Sequence, residues 1–276
     1  MIKIGQYNEL IVLKETSSGV YLEGGDWGDI FLPKKFVPKS LEQGQIINVF
    51  LYIDSENRVV ATTLKPGIVV GEFALLTVNE VNRVGAFLDW GLDKELLVPR
   101  SLQQRPMQQG HSYLVYACLD EKSRIIASSK IEHYLDNSAI KLRQGDQVNL
   151  LVAETSPLGR KVIINHRHWG LIHANELFQN LSYGQTTVGY IKKIREDNKI
   201  DVVLRKTGQD NIHDLSLRIK EALQEAGGFL PLHDKSSAAE IMKIFNESKK
   251  NFKRAIGQLY KAGDIVITEN GIRLLS

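Results

Sequence analysis

Residues Leu41–Thr63 and Met107–Ser129 are two versions of one segment. LEQGQIINVFLYIDSENRVVATT aligns with MQQGHSYLVYACLDEKSRIIASS so that Gly44 meets Gly110, Asp54 meets Asp120, Arg58 meets Arg124, and Thr62-Thr63 meet Ser128-Ser129, each 66 residues apart. The same offset relates Gly19 to Gly85, Tyr21 to Phe87 and Pro33 to Pro99. One offset held over so many positions marks an internal repeat, and a repeat of this length means a series of small modules. A more diverged third copy opens at Gly145-Asp146-Gln147-Val148. At 74 residues beyond the second copy, Gly159 matches Gly85, His173 matches Pro99 and Gly184 matches Gly110. A strand-like stretch, Thr187–Ile194, follows, and the turn after it, REDNK, requires one inserted residue.

Each copy reads as strands. VGAFLDW, ELLVP, SYLVYACL and RIIASS are short, rich in β-branched and aromatic residues, and bounded by Gly, Pro or polar turns. About five such strands in roughly 65–70 residues suit a small closed barrel, because closure leaves no unpaired edge. The succession G-A-F-L-D, L-V-P-x-S, G and D-x-x-x-R-I-I-A-S-S resembles the S1 RNA-binding domain of the OB class, and GLIHANEL in the third copy resembles it too, histidine included. The resemblance runs from residue 1 to about residue 207, most specific in the middle copy and weakest in the first.

Near Lys206 the pattern changes. Ile212–Ala226 places Ile212, Leu215, Ile219, Ala222 and Leu223 at helical spacing, with Asp214 or Asn211 as a start signal and Gly227-Gly228 as a stop. FLPL is a short strand. Ser236 or Ser237 caps a second predicted helix, Ala238–Asn246, with Glu240 near its first turn. Ser248 caps a third, Lys249–Ala262, stopped by Gly263, with Phe252, Ile256, Leu259 and Tyr260 on its apolar side. IVIT and IRLL then flank Glu269-Asn270-Gly271, a tight-turn signal. This order resembles a winged helix, a variant of helix-turn-helix.

The predicted fold class is therefore mainly β with a C-terminal α/β module. Three tandem S1/OB-type five-stranded β-barrels, at 1–65, 66–136 and 137–207, precede a winged-helix domain at 208–276. That arrangement resembles the conserved virulence factor B family of bacterial S1-containing RNA-binding proteins. The resemblance implies RNA binding, post-transcriptional control and virulence regulation, and carries over no catalytic residue.

Charge locates the expected interface. The formal net charge of +3 is too small to argue for a polyanion partner, but it is unevenly spread. The four segments at 1–66, 67–136, 137–207 and 208–276 carry −1, −2, +5 and +1. Phosphate attraction supplies much of non-specific nucleic-acid affinity, so the third barrel is the leading candidate. There Lys161, His166, Arg167, His168, Trp169 and His173 lie close in sequence, and Lys192, Lys193, Arg195 and Lys199 follow. The S1 resemblance implies an RNA face built from an aromatic, a histidine and an Asp/Arg pair. In the first barrel these positions hold Tyr21, Asp54 and Arg58, and in the second Phe87, Asp120 and Arg124, with Pro33 and Pro99 where the histidine is expected. The third has His173 but Lys161 in place of the aromatic. In the winged helix, Lys249, Lys250, Lys253, Arg254 and Lys261 line the third helix.

Blander roles fit some of these residues. Tyr21 and Phe87 equally suit barrel interiors, Asp54 and Asp120 equally suit turn shaping, and Trp90 and Trp169 equally suit packing. Lys192, Lys193 and Arg195 also fit a solvated strand edge, and the helix cations a solvated face.

Other chemistries find no footing. Cys118 is the sole cysteine, so no internal disulfide is expected, which fits a reducing, cytoplasmic setting. No Cys/His cluster has metal-site spacing, and no signal peptide or membrane-length apolar run is expected. There is no phosphate-binding glycine loop, HExxH or nucleophile elbow, so neither enzyme activity nor a cofactor is expected. The expected function is non-enzymatic binding of single-stranded RNA through the third barrel and winged helix, with the ribosome or RNA-processing proteins as further partners. Two rivals are a winged-helix DNA-binding transcription regulator and a protein-interaction scaffold on that machinery. The wing carries little positive charge, which makes duplex DNA the weaker expectation.

Overall fold

The computed structural model describes residues 2–54, 56–177, 180–205 and 209–275, with the side chains of 209–211 excepted. The module boundary expected at 207/208 lies outside the described residues. The first helix of the C-terminal module begins at Gln209, so Asn211 and Asp214, expected as its start signals, lie within it rather than at its cap.

Among those residues the repeat folds as three closed five-stranded barrels of one topology. The first is β1 (Tyr7–Thr16), β2 (Gly19–Glu23), β3 (Asp29–Pro33), β4 (Ile46–Ile53) and β5 (Val59–Thr62). The second is β6 (Phe73–Val81), β7 (Gly85–Asp89), β8 (Leu96–Pro99), β9 (Ser112–Leu119) and β10 (Ile125–Ser128). The third is β11 (Gln147–Ser156), β12 (Gly159–Ile164), β13 (His168–His173), β14 (Thr186–Ile194) and β15 (Ile200–Val203). The order around the first is β1-β2-β3-β5-β4, and the other two repeat it. The long first strand of each barrel closes it by bending. β1 pairs with β4 through its first half and with β2 through its second, and a register shift between Val12 and Lys14 lets it serve both. The shift recurs between Val78 and Glu80 and between Val152 and Glu154, at the offsets of the repeat. A bulge at a barrel corner adds bend and twist where the strand changes partners.

The repeated glycine has a steric cause. Gly19, Gly85 and Gly159 sit opposite Pro33, Pro99 and His173. A Cβ there would lie 2.2, 2.3 and 1.9 Å from the carbonyl oxygens of Leu32, Val98 and Ile172, so only glycine allows the third strand so close.

Cores form inside each barrel and also between barrels. Leu22, Ile30, Leu32, Val49 and Leu51 fill the first. Phe50, from β4, belongs instead to the core of the second barrel, edge-on to Trp90 with ring centroids 5.9 Å apart. Val70 donates its N–H to the Gly5 carbonyl at 2.9 Å, and Lys94 donates to the Ile53 carbonyl at 3.0 Å. Toward the third barrel, His166 Nδ1 accepts the Phe73 N–H at 2.9 Å and its ring lies parallel to the Phe73 ring. Tyr183 Oη accepts the Leu114 N–H at 3.0 Å.

The C-terminal module comprises α1 (Gln209–Glu225), β16 (Phe229–Leu230), α2 (Ala238–Phe245), α3 (Lys249–Ala262), β17 (Ile265–Thr268) and β18 (Gly271–Leu274), with sheet order β16-β18-β17. Leu215, Ile219, Leu223, Ile241, Phe245, Phe252, Ile256 and Leu259 form its core. Ser237 and Glu240 make a reciprocal capping box at the start of α2, and Ser248 caps α3. Two expectations are corrected. Asn246 ends α2 as its left-handed cap rather than lying within it. Tyr260 is 57% exposed, and Ala255 takes the buried place on α3.

The chain gathers into two compact units. One holds Met1–Lys141, Val148–Thr187 and Arg195–Ile200; the other holds Leu142–Gln147, Val188–Ile194 and Asp201–Ser276.

Candidate nucleic-acid interface

In the first barrel Val20, Leu22, Ile30 and Leu32 point inward, which turns the alternate residues Tyr21 and Phe31 outward. The two are directly opposed in register, half-buried, with ring centroids 5.3 Å apart. Lys14 Nζ lies 4.6 Å from the Tyr21 ring centre and 3.1 Å from Asp29. Tyr21 is therefore a surface ring, not a barrel filler. Phe31 was missed in the sequence, although its place across from Tyr21 follows from strand alternation.

The Asp/Arg pair closes the last turn of the barrel. Asp54 Oδ1 accepts the backbone N–H groups of Glu56 and Arg58 at 2.8 and 3.0 Å, while Oδ2 accepts Arg58 Nε and Nη2 at 3.0 and 2.8 Å. Burial works to raise the Asp54 carboxyl, but the donors from Arg58 and Glu56 outweigh it and hold the group below its ordinary value. Asp54 thus shapes the turn and orients Arg58, whose side chain stays 64% exposed.

The second barrel repeats this with fewer rings. Phe87 faces out, half-buried, opposite Leu97 rather than a second aromatic. Asp120 Oδ1 accepts the N–H groups of Lys122 and Arg124, both at 2.9 Å, and Oδ2 accepts Arg124 Nε at 2.8 Å. Trp90 is buried beneath, donating Nε1–H to the Lys94 carbonyl.

The third barrel keeps the positions and changes the chemistry. Lys161 stands where Tyr21 and Phe87 stand, opposite Leu171, with its ammonium 3.8 Å from the Trp169 ring centre. Glu132 receives Lys161 Nζ at 3.1 Å and the Trp169 Nε1–H at 2.8 Å. At the turn position of Asp54 and Asp120 stands Arg195, whose Nη2 lies 3.1 Å from His173 Nε2. Lys199, at the place of Arg58 and Arg124, bonds Asp197 at 2.7 Å.

Several expected site residues are placed elsewhere. His168 is buried at 5% exposure, with Nδ1 on the Asp136 carbonyl. On β13, His168, Gly170 and Ile172 face inward while Trp169, Leu171 and His173 face outward, so His168 anchors the preceding segment and is not a surface ligand. His166 is spent on seating Phe73. Trp169 is partly buried against the cluster of Phe73, Leu114, Leu151 and Ile163, and its ring lies under Lys161. Arg167 is exposed in the β12–β13 turn. Lys192 is half-buried and Lys193 exposed, and as neighbours on β14 they point to opposite sides, so they do not make one patch.

On α3, Lys250, Lys253, Arg254 and Lys261 are exposed, whereas Lys249 is half-buried with Nζ on the Lys235 carbonyl. Lys253, Arg254, Gly257, Gln258 and Lys261 line an open groove of about 800 Å³ with Ile212 and His213 of α1. Among the described residues that line it three are cations and none is a carboxylate, although Asp234 approaches Lys253 to 3.9 Å from outside. Among the described residues no cluster of His, Cys, Asp and Glu is arranged to hold a metal ion, and no helix is long and apolar enough to cross a membrane.

Comparison with known proteins follows the same division. Residues 218–274 match the family model described as the CvfB-like winged helix domain, and residues 4–64 match the S1 domain. The S1 match falls on the copy whose sequence resemblance was expected to be weakest. A protein of Bacillus subtilis strain 168 named YitL is 27% identical over 97% of this chain and 92% of its own length. A protein of Staphylococcus saprophyticus named conserved virulence factor B is 26% identical over 97% of this chain and 95% of its own. Among solved structures, a multidomain protein with nucleic acid binding domains from Streptococcus pneumoniae TIGR4 is 24% identical, with 99% of this chain and 98% of that one covered and a TM-score of 0.41.

Proposed function

We infer, for a chain that belongs with the conserved virulence factor B proteins by its S1 and winged-helix domains, that it binds single-stranded RNA and acts in post-transcriptional control. Its modules are nucleic-acid-binding types, and the reading is non-enzymatic. The observation that carries the choice of a single strand is the outward pair Tyr21 and Phe31 with Lys14 over the Tyr21 ring, on a barrel whose last turn holds Arg58 exposed. Rings on an open barrel face offer stacking to unpaired bases, and cations at their margin offer contacts to the backbone. A duplex keeps its bases stacked on one another and has no use for such a face.

This reading moves the stacking surface to the first barrel and leaves the third as a mainly electrostatic contributor, through Arg195, Lys199 and Arg167. The winged helix adds Lys250, Lys253, Arg254 and Lys261. Contacts with the ribosome or RNA-processing proteins, in the cytoplasm, fit the same role.

Filter binding of the full chain to RNA, single-stranded DNA and duplex DNA of matched length, at two salt concentrations, tests it. Single-stranded RNA is expected to bind best. Tyr21→Ala is expected to weaken it by about 1–3 kcal/mol, or about 5- to 150-fold. A preference for duplex DNA that survives Tyr21→Ala and falls with Lys253→Ala/Arg254→Ala would overturn the reading in favour of the cationic α3 groove, the observation behind the transcription-regulator alternative.

A further inference from the structure

Glu132 sits in the one-turn helical segment Ile131–Tyr134 that leads out of the second barrel. Its two carboxylate oxygens are divided between two groups of the third barrel. Oε1 lies 3.1 Å from Lys161 Nζ, and Oε2 accepts the Trp169 Nε1–H at 2.8 Å. The ammonium also lies over the indole, 3.8 Å from the ring centre. An anion with two acceptor oxygens is held here between a cation and a neutral N–H, the kinds of donor that also take the two non-bridging oxygens of a phosphodiester.

The surroundings fix where Glu132 stands. Ile131, Tyr134 and Leu135 share an apolar cluster with Trp169, and Tyr134 stacks on Tyr116 at 4.0 Å. The carboxylate itself is 63% exposed and Lys161 34% exposed. The pair can therefore open at the surface while its backbone stays packed. Exposed pairs of this kind are held weakly, so a polyanion that brings several phosphates at once can displace one. Glu154, 3.9 Å from Lys161, is its more distant second carboxylate.

We propose that Lys161 and Trp169 form a phosphate-accepting subsite on the third barrel, and that Glu132 fills it in the absence of RNA as a built-in competitor for the nucleic-acid backbone. The proposal rests on the RNA reading above and deepens it. It also explains why a lysine occupies the position where the other two barrels carry a ring: here the ring is Trp169, and the lysine lies on it.

The test is fluorescence anisotropy of a labelled, unstructured single-stranded RNA with the full chain. Glu132→Gln keeps an acceptor for the indole N–H and removes the charge. It is expected to tighten binding about twofold to fivefold, the range an exposed pair allows. Glu225→Gln, the same charge change at an exposed site on α1, is expected to leave affinity nearly unchanged. Lys161→Ala is expected to abolish the gain when combined with Glu132→Gln. In parallel, the Trp169 Nε1–H resonance, assigned with Trp169→Phe, is expected to shift as RNA is added to the unmodified protein. A gain matched by Glu225→Gln, no gain at all, or an unmoved indole signal while RNA binds would each overturn the competitor and leave the RNA reading standing. Failure of every form to bind RNA would overturn both.

Discussion

At the scale of single residues, the same sequence position does different work in each barrel. Asp54 and Asp120 each organise a turn through two backbone N–H groups and hold an arginine outward. Their carboxyls lie below the ordinary value because those donors outweigh the opposing effect of burial. A carboxyl with a lower pKa in the folded state stabilises the fold above its unfolded pKa, and that contribution fades as pH falls through the lower folded value. Thermal stability is thus expected to decline below about pH 4, and Asp120→Asn is expected to flatten the decline. Melting temperatures from pH 5 to pH 2.5 would show an unchanged slope if the carboxylate were inert. His166 gives a second prediction. As acceptor for the Phe73 N–H it satisfies a half-buried donor, so His166→Ala is expected to cost about 1–3 kcal/mol, measured as a lower denaturant midpoint.

At the scale of elements, the barrels owe closure to features that are small in sequence. The register shift after Val12, Val78 and Val152 turns one strand into two pairing surfaces, and the residue within it varies, Leu13, Asn79 and Ala153. The glycine after the first strand was legible as a repeat position, yet its cause, a carbonyl close to where a Cβ would be, became visible only once strands were paired. The starts of α2 and α3 were more legible, since caps act within one turn. α3 begins and ends where Ser248 and Gly263 predicted. The capping box of α2 is expected to contribute about 1 kcal/mol, so Ser237→Ala should lower the stability of the C-terminal module by that amount, read by hydrogen exchange in α2 and α3. Unchanged protection there would show that packing alone holds the helix.

At the scale of the whole molecule, the first two barrels share hydrophobic substance. Phe50 is fully buried and belongs to the core of the second barrel although its strand belongs to the first. Truncating a buried Phe costs about 3–5 kcal/mol. Phe50→Ala is expected to speed hydrogen exchange in β6–β9 as well as in β1–β5. Faster exchange confined to the first barrel would mean that the second does not depend on it. Charge is also a property of this scale. The +5 of residues 137–207 should make RNA affinity fall steeply with salt, and Arg195→Ala/Lys199→Ala should flatten that dependence by about one phosphate contact per cation.

The amino-acid order alone determined the number and kind of modules, the strand and helix succession, and the positions facing each turn. Those properties rest on alternation, helical spacing and capping, which act between residues near in the chain. It did not determine that His168 turns inward, that Arg195 meets His173, or that Glu132 reaches Lys161 and Trp169 from another module. Those pairings depend on which strand faces lie together after closure and on how one barrel seats against the next. Contacts between residues 22 to 37 apart leave no period in the sequence, so only the folded chain could decide them.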